Sequence, residues 1–184
     1  MGPAHHIIRR RTRLAALFTG ALAIFGPAST AIAAEEDAAS RARILRPITL
    51  TVGQDLSFGT ILPSTTRNST VRINLNDTAT PGGGALVFGA THGASRTSGQ
   101  GTLNQIVVIT RPTTVWLTGP GPRMRARSWS LGTTSGLRRI AANQYRIIGA
   151  GGNFTFRMGA TLAVARNQPE GEYQGSFTVT VNYQ

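Results

Sequence analysis

The chain has 184 residues and contains neither cysteine nor lysine. Without cysteine it has no disulfide, no thiolate nucleophile and no cysteine-based zinc site. An exported domain without disulfides depends on its hydrophobic core, and a chain of this length is large enough to build one. Acids are scarce: seven Asp and Glu stand against 19 cations, every one of them Arg. Histidine is nearly absent, with only His92 beyond residue 6. No segment shows a sustained apolar period of 3.6 residues, so a helical bundle is not expected.

The first 33 residues carry a basic leader (Arg9, Arg10, Arg11, Arg13), an apolar stretch from Leu14 to Phe25 and a small-residue end. Ala31-Ile32-Ala33 fits the small-x-small rule of signal peptidase, which predicts cleavage after Ala33. The apolar stretch is about 12 residues, against roughly 20 for a membrane-spanning helix. Residues 1–33 therefore read as a signal peptide. The mature chain is expected in the periplasm, at the cell surface or outside the cell, without a transmembrane segment. Of the 19 Arg, four lie in the leader, leaving 15 against seven acids and a net charge of +8.

Residues 34–46 (AEEDAASRARILR) form a polar N-terminal extension, and residues 47–184 carry strand texture throughout. Ala42, Ile44, Ile48, Leu50 and Val52 share one parity, interrupted by Arg46 and Pro47, which predicts an edge strand or a break there. Val71, Ile73 and Leu75 alternate with Arg72, Asn74 and Asn76. Further strands are expected at LSFGTIL (56–62), ALVFG (85–89), Ile106–Ile109, Val115–Leu117, Trp129–Leu131 and Tyr145–Ile148, and around Phe154, Phe156 and Met158, with Leu162 and Val164 following Gly159. Pro81–Gly84, Thr91–Gly101, GPGP (119–122) and GAGGN (149–153) read as turns or loops. Many short strands at regular spacing predict an all-β fold, an antiparallel sandwich of the immunoglobulin-like or jelly-roll kind.

The last 14 residues, GEYQGSFTVTVNYQ, alternate most regularly. Tyr173, Phe177, Val179, Val181 and Tyr183 take one face, and Gln174, Ser176, Thr178, Thr180 and Asn182 the other. Such a segment belongs to a core. This terminal strand resembles that of chaperone–usher fimbrial (pilin-type) subunits, with Tyr183 next to last and Gly171 fourteenth from the end. Together with LSFGTIL (56–62) and FRMGATLAV (156–164), it also resembles a family of secreted bacterial proteins, domain of unknown function 4402, distantly similar to spore-coat-U and pilin groups. The resemblance implies an immunoglobulin-like, pilin-type sandwich and no catalytic residue or cofactor. It also implies a structural or adhesive surface role, in which subunits assemble by β-strand donation. The partners would be copies of this chain or related subunits and a periplasmic chaperone. Gly171 and the five alternating side chains would form the assembly strand, and the donor would be the N-terminal extension, where only Ala42 and Ile44 offer apolar groups.

A second reading is a monomeric module for an acidic glycan. Arg123, Arg125 and Arg127 lie at period two, with Trp129 on the same parity to stack on a sugar. No nucleic acid partner is expected. Enzymatic signals are weak. His92 has no adjacent carboxylate and reads as an exposed loop residue, Glu170 and Glu172 read as solvated turn charges, and no metal set is expected.

Overall fold

The computed structural model describes residues 41–184. The expected signal peptide, its cleavage residues Ala31 and Ala33, and residues 34–40 of the extension lie outside the described residues.

Thirteen strands carry the described part of the chain: β1 (Thr49–Gln54), β2 (Thr60–Leu62), β3 (Ser69–Ile73), β4 (Ala79–Gly82), β5 (Leu86–Phe88), β6 (Ser95–Gln100), β7 (Ile106–Thr110), β8 (Val115–Leu117), β9 (Met124–Ser135), β10 (Leu137–Ala141), β11 (Gln144–Ile147), β12 (Asn153–Val164) and β13 (Thr180–Tyr183). All pairings are antiparallel, so the expected all-β class is what the chain adopts. The larger sheet is organised on β12. Its first half pairs with β6, which pairs with β1; its second half pairs with β3, which pairs with β4. Its other edge pairs with β9, and β9 with β8. The second sheet runs β10-β11-β7-β13, and β2 and β5 form a two-stranded ribbon.

The two main sheets close on one core. From the larger sheet come Val71, Ile73, Phe154, Phe156, Met158 and Leu162; from the smaller come Val107, Ile109, Tyr145, Ile147 and Val181. Alternation explains this directly, since every second residue of a strand faces the same side. In β12 the even positions 154, 156, 158, 160, 162 and 164 are all buried. Gly159 lets β12 change partners: a Cβ there would run into the carbonyl oxygen of Ile73.

Several expectations are corrected. Thr91–Gly101 is not simply loop, because it contains β6, which lies between β1 and β12. Its inward residues are small or polar (Ser95, Thr97, Gly99), so no hydrophobic period announced it. They are small because they sit opposite Met158, Phe156 and Phe154. At Gly99 a Cβ would collide with the Phe154 ring. Pro81 and Gly82 belong to strand β4 rather than a loop, and β10 had no clear apolar pattern. The strand expected from Ala42 starts only at Thr49, since residues 41–48 pair with nothing as a ladder. Phe154 to Val164 runs as one strand through Gly159. His92 is half-buried, and its Nδ1 is buried without a hydrogen-bond partner among the described residues.

Candidate assembly edge and cationic face

The C-terminal segment keeps its predicted parity. Val181 is buried, and Tyr173, Phe177, Val179 and Tyr183 pack partly buried against the core, while their even-numbered neighbours are exposed. It is not, however, one continuous strand. Gln174 forms an isolated bridge with Thr118 beside β8, and β13 pairs with β7 only from Thr180 onward. Between them, Gly175–Val179 makes no backbone hydrogen bond among the described residues. Gly171 is exposed and has φ +132, a backbone that disfavours a side chain, and it sits against Pro120.

Two tyrosine hydroxyls pin this segment at either end. Tyr173 Oη accepts from Gly121 N–H at 3.1 Å and donates to the Pro169 carbonyl at 3.0 Å. Tyr183 Oη accepts from Thr102 N–H and donates to the Arg46 carbonyl, both at 2.7 Å. Tyr183 therefore joins the last strand to the turn after β6 and to the chain just before β1. Between the pins, the Phe177 ring lies 4.7 Å, centroid to centroid, from Trp129.

The edge strand β1 lies on the far side of β6. Leu50 pairs with Gly99, which pairs with Phe154; Val52 pairs with Thr97, which pairs with Phe156. Directly paired residues point to the same face, so Leu50 and Val52 face inward with the two phenylalanines. Phe154 and Phe156 are buried, yet Leu50 is 38% and Val52 64% exposed. Leu50 and Val52 are thus left uncovered where the phenylalanines are not. The smaller sheet's edge strand β13 has no partner on its outer side among the described residues. The two open edges approach each other where Tyr183 reaches Arg46.

The suggested donor residues lie just before this point. Ala42 and Ile44 are exposed, Ile44 by 95%, and neither is in a strand. Leu45, not Ile44, is the half-buried residue of this stretch.

The arginine triplet is on one exposed face, with Met124 and Ala126 between its members buried. Trp129 does not join it. Ser128 has φ +53, and the β9–β12 register shifts between Gly159 and Thr161, so parity flips and Trp129 turns into the core at 8% exposure. The aromatic on the arginine face is Trp116 of β8, opposite Arg125 and 46% exposed. The Arg123 guanidinium lies 4.7 Å above its ring centre. Parity could have found it: Val115 and Leu117 face inward, so Trp116 faces out. Arg72 of β3 is on the same face, joined to Arg127 through Thr161 of β12.

One ion pair is present among the described residues. Arg157 of β12 meets Asp77, in the turn between β3 and β4, and Asp77 Oδ1 also accepts from Ala94 N–H at 2.9 Å. The hydrogen bond from Arg157 holds the Asp77 carboxyl below its ordinary range, assisted by Ala94 and opposed by partial burial. Glu170 and Glu172 are exposed, and Glu172 accepts from Gln174 Nε2 at 2.8 Å.

Compared with known proteins, the chain matches no curated protein and no solved structure. Residues 48–183, nearly all of the described residues, match the family described as Domain of unknown function (DUF4402), and the chain belongs to that family.

Proposed function

We propose that this protein is an exported, non-catalytic structural subunit of the cell surface that assembles by accepting a β-strand from another chain, in the manner of fimbrial subunits. The observation that carries this reading is the run Gly175–Val179. Its Phe177 and Val179 side chains pack on the core, while its backbone makes no hydrogen bond among the described residues. Backbone donors and acceptors on an open edge are a template for another strand. The uncovered, inward-facing Leu50 and Val52 support the same reading, because a strand laid beside them would remove them from water.

The gain from covering these two side chains is on the order of a few kcal/mol, from the typical value of a buried aliphatic group. Ladder hydrogen bonds and the donor's own side chains would add to it. Ala42 and Ile44 of a second copy are an exposed but modest donor. A related subunit or a chaperone with a more apolar strand would bind more tightly.

The test is the state of assembly. Purified chain at rising concentration, examined by size exclusion and electron microscopy, is expected to form linear oligomers. Removal of residues 34–44, which spares Arg46, should abolish self-assembly and leave a folded monomer that still accepts an added donor peptide spanning residues 38–45. Oligomers that persist unchanged without residues 34–44, or a peptide that does not bind, would rule out strand donation by the extension.

A further inference from the structure

The outer face of the larger sheet, opposite to the core and independent of strand addition, has the composition of a ligand surface. Trp116, Arg125, Arg127, Thr161 and Arg72 are neighbours through direct cross-strand pairing, and Arg123 lies over the Trp116 ring. We infer that this face binds an acidic polysaccharide, a chain of sugars bearing carboxylate or sulfate groups.

Among the described residues none of these four Arg is in an ion pair, the one pair there being Arg157–Asp77. Glu172 is exposed, accepts from the neutral Gln174 amide and forms no ion pair with any of them. Four unneutralised guanidiniums on one rigid sheet favour a polyanion and disfavour a neutral or cationic partner. Strand geometry then sets their spacing. Arg125 and Arg127 are about 7 Å apart along β9, and Arg127 and Arg72 about 10 Å apart across three strands, with Thr161 between. Guanidinium forks suit carboxylate and sulfate oxygens, and the threonine hydroxyl suits sugar hydroxyls.

The aromatic content separates sugar chains from nucleic acid. Single-stranded nucleic acid is held on platforms where successive bases find successive rings. Here one ring is present, and Arg123 already covers part of it. That arrangement has room for a single apolar sugar face beside a row of cations. Arg123 stacked on Trp116 also holds its guanidinium in place before any ligand arrives.

The experiment measures binding of the purified chain to polygalacturonate and to heparin, with neutral dextran, poly(dT) and phosphatidylglycerol vesicles as competitors. Binding to polygalacturonate or heparin that weakens with salt is expected, with no binding to dextran. Arg125→Gln/Arg127→Gln should weaken it by about tenfold or more, two exposed charge contacts together being typically worth about that much. Trp116→Ala should weaken it by about threefold to tenfold, on the scale of one lost stacking contact. Arg138→Gln/Arg139→Gln on β10 removes the same charge elsewhere and should change it by less than about twofold. All these side chains are exposed, and thermal unfolding of each variant checks that the fold is kept. Equal weakening by both double variants, insensitivity to Trp116→Ala, or preference for poly(dT) or for the vesicles would each overturn the assignment.

Discussion

Phe156 and Val52 occupy the same face of one sheet and are linked through Thr97, yet Phe156 is wholly buried and Val52 is 64% exposed. Register alone makes both face inward. Burial needs a second condition, that the opposing sheet supplies atoms above the residue. Over β12 it does: Phe156 shares one buried cluster with Ile109 and Ile147 of the smaller sheet. Over β1 it does not, and the sheet ends with an apolar edge that monomeric proteins usually blunt or cover. Three smaller features blunt this edge in part: Pro47 precedes it, a bulge at Gly53 interrupts its register, and Arg46 is exposed beside it.

The contrast can be tested by truncation. Phe156→Ala is expected to cost about 3–5 kcal/mol of stability, the usual range for emptying a buried aromatic site. Val52→Ala should cost less than about 0.5 kcal/mol in the monomer, like other exposed substitutions. Urea unfolding measures both. A large cost for Val52→Ala at low protein concentration would mean that β1 is covered in solution and that the comparison is false. A cost that grows with concentration would sharpen it, because the cover would then come from another chain.

A smaller effect is expected at the junction of the two open edges. Tyr183→Phe removes the hydroxyl that joins Thr102 and Arg46. The loss should be about 1–2 kcal/mol, since the Thr102 N–H is left partly buried without its partner. Hydrogen exchange should show faster opening of β13 and of residues 46–48, with β12 unchanged. Uniform acceleration across both sheets would show instead that the hydroxyl supports the whole core.

The smallest effect is expected at Asp77. Its folded pKa is depressed by Arg157, so its contribution is present above the ordinary carboxylate range and is lost as pH falls through the folded value. Asp77→Asn keeps the positive-φ backbone that Asn tolerates. The Asp77 side chain is 38% exposed, so solvent screens the pair and the loss at neutral pH should stay within about 1 kcal/mol. The gap between the two proteins should close as the solution is acidified below the ordinary carboxylate range. A gap that persists there would assign the effect to the Ala94 hydrogen bond rather than to charge.

Strands with an apolar period are legible in the amino-acid sequence. Val71 and Ile73, Phe154 to Met158, Ile106–Ile109 and the terminal parity from Tyr173 to Tyr183 lie where alternation puts them. Strand β6 is not legible, because its inward side chains are the small partners of large ones on β12. Hydrophobic pattern reports the larger member of such a pair and is silent about the smaller. The arginine face is legible as a triplet, but parity assigns it the wrong aromatic. A single bulge at Ser128 reverses the parity of Trp129, and such a bulge leaves no mark in a two-residue count.

The amino-acid sequence by itself determined that this chain is a disulfide-free, Arg-rich, all-β protein, because composition and the two-residue period act locally along each strand. The tertiary structure alone decided which inward residues are covered and which strands are edges. It also decided that Trp116 rather than Trp129 meets the arginines. Those outcomes depend on how strands distant in the chain are registered and stacked, and local alternation carries no information about that.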